Sequence, residues 1–118
     1  MPITTQIVAN GVNPSQIVFS VTNAVGGPPL AVRVNVILSW DPAFAQCVQV
    51  GAPLGYSLQV GSCTLTSIFI QVGQTRTFTI DLQRIQANPP APAPPTFVMG
   101  TAHNTANNQN PSSNIPLP

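Results

Sequence analysis

The chain has 118 residues, enough for one domain with one core, and only five of them are charged: three Arg and two Asp, with neither Lys nor Glu. That is a 4% share, against about 25% in ordinary globular domains. A net charge of +1 argues against binding a phosphate backbone, which takes several clustered Lys or Arg, and no apolar run approaches the roughly 20 residues of a membrane-spanning helix.

Short stretches rich in Val, Ile, Thr and Phe recur along the chain, each closed by Gly, Pro or Asn, which is the pattern of a β-sandwich or barrel. Ile3 to Ala9 reads as a first strand, with Asn10-Gly11 as its turn. In the next, Gln16 to Asn23, Ile17, Phe19 and Val21 alternate with Val18, Ser20 and Thr22, so one face is core. Gly26-Gly27 and Pro28-Pro29 then impose a loop. From Val32 to Trp40 the even positions Val32, Val34, Val36, Leu38 and Trp40 form an unbroken apolar row, which marks the central strand.

Cys47 to Val50, Tyr56 to Val60 and Cys63 to Ile70 give three shorter strands, separated by Gly51-Ala52-Pro53 and Gly61-Ser62. Thr77 to Ile85 is the seventh, with Phe78, Ile80 and Leu82 on one face and Thr77, Thr79, Asp81 and Gln83 on the other. The expected fold is therefore an all-β, immunoglobulin-like sandwich of about seven to eight strands over residues 11–86. Residues 1–10 are an N-terminal extension or first strand. The prolines of 87–95 favour an extended polyproline II spacer, and 96–118 is a polar C-terminal tail in which Thr96 to Thr101 alone has strand character. Such a tail is expected to be disordered by itself, and a chain ended before residue 87 to stay folded.

Catalytic chemistry has little to draw on. His103 is the single histidine and Asp41 and Asp81 are the only carboxylate side chains, so acid–base pairs and metal clusters lack parts. We expect no enzymatic activity, cofactor or metal. Asp41, before Pro42, reads as a turn-former at a strand end. Asp81 reads as a solvated or interface ion-pair residue near Arg76 and Arg84. Trp40 reads as a core anchor and Tyr56 as a core-edge residue with its hydroxyl in water.

Cys47 and Cys63 are 16 residues apart, each at the start of a short strand. A bridge between them would close a hairpin-like loop and contribute about 3 kcal/mol in the chain-entropy model, and this disulfide is the favoured expectation. Two buried free thiols, or a covalent link between neighbouring copies, are the alternatives.

Several segments recur, in the same order, in one family. They are Val21-Thr22-Asn23 before a Gly/Pro loop, a Val-rich strand running into Asp41-Pro42, a following Cys, Gly61-Ser62-Cys63-Thr64-Leu65, and Val72-Gly73-Gln74-Thr75-Arg76-Thr77-Phe78-Thr79-Ile80. Over Ile17 to Leu82 the chain resembles the immunoglobulin-like repeat domain of unknown function found in bacterial and archaeal surface proteins. The resemblance implies a bonded Cys47–Cys63 pair and a spacer or adhesive module outside the cell. Antibody-type domains place their Trp between two Cys, whereas here both Cys follow Trp40.

A single such module with polar extensions and almost no charge suggests assembly. The leading expectation is a self-assembling subunit of an extracellular fibre, pilus or spore appendage, in which a terminal segment of one copy adds to a sheet edge of the next. Its partners are other copies of itself, with no nucleic acid and no membrane insertion. The candidate donor residues are Ile3, Ile7 and Val8 at the start and Thr96, Phe97, Val98 and Met99 near the end. The expected location is extracellular or at the cell surface, although Met1 to Gln6 carries no visible secretory signal. A cell-surface adhesin or carbohydrate-binding module, and a phage virion protein, are the other readings.

Overall fold

The computed structural model describes residues 3–11, 14–23, 31–51, 56–85, 97–105 and 110–117. The loop around 24–30, the turn at 52–55, the Pro-rich spacer 87–95 and Thr96 lie outside them. Nine strands run in chain order: β1 (Ile3–Asn10), β2 (Ser15–Asn23), β3 (Ala31–Trp40), β4 (Ala45–Gly51), β5 (Ser57–Gln59), β6 (Ser62–Gln71), β7 (Thr75–Arg84), β8 (Phe97–Asn104) and β9 (Ser112–Pro116). They form two antiparallel sheets, one ordered β1-β2-β7-β4 and the other β5-β6-β3-β8-β9. No helix occurs among the described residues.

The alternations read from the sequence set the layers. Ile17, Phe19 and Val21 of β2 and Phe78, Ile80 and Leu82 of β7 turn inward from the first sheet. Val34, Val36 and Leu38 of β3, with Leu65, Ile68 and Ile70 of β6, turn inward from the second, and all of these side chains are buried. β3 is the middle strand of its sheet, as its apolar row requires. The layers press closest at Gly100 of β8, where an added Cβ would lie 2.4 Å from the Phe19 ring, so glycine is the residue this approach permits.

Turn chemistry follows the sequence as well. The Asp41 carboxylate accepts a 2.9 Å hydrogen bond from the Ala43 N–H, and its carbonyl accepts from Phe44 and Ala45, so Asp41 builds the β3–β4 turn. Gly61 holds φ at +81° between β5 and β6, and its carbonyl accepts the Trp40 N–H. β6 carries a bulge where Ser67 adopts φ of +56°, and the Asn35 side-chain oxygen satisfies the Ser67 N–H at 3.0 Å.

The main departure lies at the ends of the chain. Ile3–Asn10 is a strand as read, pairing with β2, and the strand character of 96–101 appears as β8, which lies inside the sheet between β3 and β9 rather than in a tail. Residues 112–117, read as a polar tail, form β9 and end in a buried Leu117. The alternation Ser113, Ile115, Leu117 is only three positions long in an Asn/Pro context. Its strand character comes from the partner it finds in β8.

Candidate functional site

The residues with catalytic potential are far apart. His103 stands on the outer face of the five-stranded sheet opposite Asn35, and Asp81 on the outer face of the other sheet. Asp41 lies six residues along β3 from Asn35, roughly 20 Å away at strand rise. Among the described residues no three His, Cys, Asp or Glu side chains gather where a metal ion could bind. The distinctive geometry is at the two lateral flanks of the sandwich, where one sheet's edge strand meets the other's.

On one flank β1 and β9 lie alongside each other. The Thr5 and Ser113 hydroxyls share a 2.7 Å hydrogen bond across the sheets, and Ile115 packs against the core. Leu117, only 3% exposed, caps the core beside the end of β7, where the Arg84 guanidinium donates to the Leu117 carbonyl. Burying one such aliphatic side chain is worth about 1.5–3 kcal/mol. Two apolar residues and one sheet edge therefore close this flank. The expected donor residues that are described, all but Thr96, sit in the chain's own fold. Ile3 and Ile7 face inward and Val8 outward on β1, while Val98 is buried between Phe97 and Met99, which are exposed on β8.

The opposite flank is different. Among the described strands β4 pairs only with β7, and β5 only with β6. Between them lies an apolar cleft of about 520 Å³ lined chiefly by Trp40, Ala45, Cys47, Leu58, Val60 and Ile85. Trp40 is the buried core anchor expected, and it forms part of the cleft wall. Leu58 and Val48 are about half exposed and Val60 is 89% exposed, so this edge carries apolar side chains into solvent. Tyr56, just before β5, is also about half exposed.

Cys47 and Cys63 are free thiols, so the expected bridge is not formed. They belong to opposite sheets, β4 and β6, rather than to one hairpin. At Cys47 the β4–β7 register slips, and the thiol turns toward its own strand to donate to the Gln49 carbonyl at 3.4 Å. Burial pushes the Cys47 thiol above its ordinary value; the Gln49 hydrogen bond opposes this and the nearby Asp81 charge adds to it. Burial likewise raises Cys63, helped by its proximity to Cys47. Both are therefore protonated and weakly nucleophilic at neutral pH.

The two outer faces also differ. The four-stranded sheet carries hydroxyls in register, with Thr22 bonded to Thr75 at 2.8 Å and Ser20 to Thr77 at 3.4 Å. The five-stranded sheet exposes Ile37, Phe69, Phe97 and Met99, and Arg33 lies over the Phe69 ring at 5.2 Å. Sequence reasoning missed the cleft, because Leu58, Val60 and Ile85 carry no signal beyond membership of the strands Tyr56 to Val60 and Thr77 to Ile85. It also missed Leu117, whose only signal is its alternation with Ile115. Compared with known proteins, the chain matches no protein-family model and none of the curated proteins.

Proposed function

We propose that this chain is a non-enzymatic structural subunit that assembles with copies of itself into an extracellular filament, joined by strand addition from a terminal segment. One observation carries the reading: β9, the last strand in sequence order, is an edge strand that completes one sheet and seals one flank. The same backbone pairing can be made by the same strand of another copy. Two further features support it. Five charged residues in 118 leave little electrostatic repulsion between copies, and Ile37, Phe69, Phe97 and Met99 give the wider sheet apolar groups for lateral contact. Outside the cell, where thiols meet oxidising conditions, Cys47 at the cleft is the thiol placed to form bridges between neighbouring copies.

Negative-stain electron microscopy of the purified protein, with gels run with and without reductant, tests this. Uniform filaments are the expected result, and a reductant-sensitive ladder would assign the bridges to neighbouring copies. A monodisperse monomer under all conditions overturns the reading. The cleft beside Trp40 favours a second reading, a cell-surface binding module. A monomer that binds glycans, with binding lost on Val60→Asp, would decide for it.

A further inference from the structure

We propose that the element exchanged between copies is β9 alone, and that its seat in the neighbour is the gap between β8 and β1 that it fills in its own chain. This rests on the assembly reading above and narrows it to one donor and one acceptor.

The three terminal strands are not equally free to leave. β1 is held along eight register pairs with β2, and Ile3, Ile7 and Ala9 pack into or against the core. β8 is interior, flanked by β3 and β9, with Val98, Gly100, Ala102 and Asn104 buried and Gly100 pressed against Phe19. Withdrawing it would open the core. β9 is held by five register pairs to a single strand, and it turns only Ser113 and Ile115 inward before Leu117. Of the two terminal edge strands, β1 and β9, it is the one held by fewer register pairs and fewer core side chains.

The described residues on either side of the connection to β9 are fixed in the fold. Asn104 ends β8, and Thr105 is anchored by its N–H and its hydroxyl to the Arg33 carbonyl. The sequence then runs Ala106-Asn107-Asn108-Gln109-Asn110 to Pro111, whose carbonyl receives the Ala102 N–H. By length alone the six residues 105–110 can span about 20 Å when extended. That is about four times the 4.7–4.9 Å between neighbouring strands, ample for reaching the β8/β1 gap of an adjacent copy.

Exchange keeps every contact and changes only which chain supplies it. The Val98–Ile115 pairing, the Thr5–Ser113 hydrogen bond and the Leu117 cap are all remade in the acceptor. Each copy then gives at its C-terminus and receives at its β8/β1 gap. The contact is head-to-tail and extends into a filament wherever the rotation between copies does not close.

The Thr5–Ser113 contact supplies the test. In a full-length chain carrying Cys47→Ser and Cys63→Ala, Thr5→Cys and Ser113→Cys place two thiols across the seam. Oxidised as a monomer, this variant holds β9 at home, and complete loss of sedimentable polymer is expected, with recovery on adding reductant. Oxidised after assembly, it should give a ladder of covalent multimers on non-reducing gels. Filaments grown from the locked monomer, or only intrachain bonds in oxidised filaments, overturn β9 exchange while leaving self-assembly standing. Wild-type protein that stays monomeric under every condition overturns the assembly reading itself, and this proposal with it. Met99→Cys with Asn114→Cys, paired across β8 and β9 on the exposed face, gives a second lock read in the same way should the first not fold.

Discussion

The two flanks of this sandwich solve one problem in opposite ways. Where β1 meets β9, a terminal strand of the chain itself covers the gap, and Ile115, Leu117 and the Thr5–Ser113 hydrogen bond seal it. Where β4 meets β5, the gap is left as an apolar cleft, with Leu58 and Val60 in solvent and Cys47 in its wall. The difference teaches that closure is supplied by strand length and position rather than by composition. β5 has three residues and covers little, whereas β9 has five and is followed by a buried leucine. An open sheet edge invites pairing, and the near absence of charge removes the usual protection against it.

Substitutions on the two flanks should therefore differ sharply in cost. The largest effect is expected from ending the chain at residue 86, which removes interior β8 as well as β9. The product should lack the dispersed amide NMR spectrum of a folded domain, contrary to the expectation drawn from sequence. Next is Leu117→Ala on the closed flank, which should cost about 2–5 kcal/mol by creating a cavity at the end of the core. Urea unfolding with an unchanged m-value would show it. Replacing Thr5 by Val and Ser113 by Ala, singly and together, should reveal about 0.5–1.5 kcal/mol for their hydrogen bond in a double-mutant cycle. On the open flank Val60→Thr should change stability by no more than about 0.5 kcal/mol, because the side chain is already in water. Equal losses at Leu117 and Val60 would erase the distinction between the flanks.

The thiols sharpen the comparison through pH. Cys47, in the cleft wall and partly exposed, should react with iodoacetamide in the native protein, while buried Cys63 should react only after unfolding. Both thiols have folded values above the ordinary value of 9.0, so the folded state binds the proton more tightly than the unfolded chain. Their contribution to stability is thus fully present below pH 9 and is lost as the pH rises through the raised values. Thermal melts from pH 7 upward check the sign: melting temperature should hold to about pH 9 and then fall, and less steeply in the Cys63→Ala variant.

Much of this is legible in the sequence for plain reasons. A side chain's face on a strand has period two, so the buried rows Ile17-Phe19-Val21, Val32 to Trp40 and Phe78-Ile80-Leu82 follow from alternation alone. Asp41 before Pro42, and glycine at position 61, announce turns through local hydrogen bonding and backbone freedom. The all-β class, the central place of β3 and the core role of Trp40 follow from such local rules.

What only the tertiary structure decided depends on partners distant in the chain. Whether Ser113-Asn114-Ile115 is tail or strand turns on the unpaired edge of β8, and whether Leu117 is buried turns on the end of β7. Cys47 and Cys63 look like one hairpin in sequence and belong to two sheets in space, because β4 pairs with β7 and β6 with β3. Pairing is a choice among long-range edges, settled by which contacts bury the most surface together, and no local window of residues contains that information. Composition made this chain a sparsely charged β-sandwich; the order in which its strands pair left one flank sealed by its own last strand and the other open.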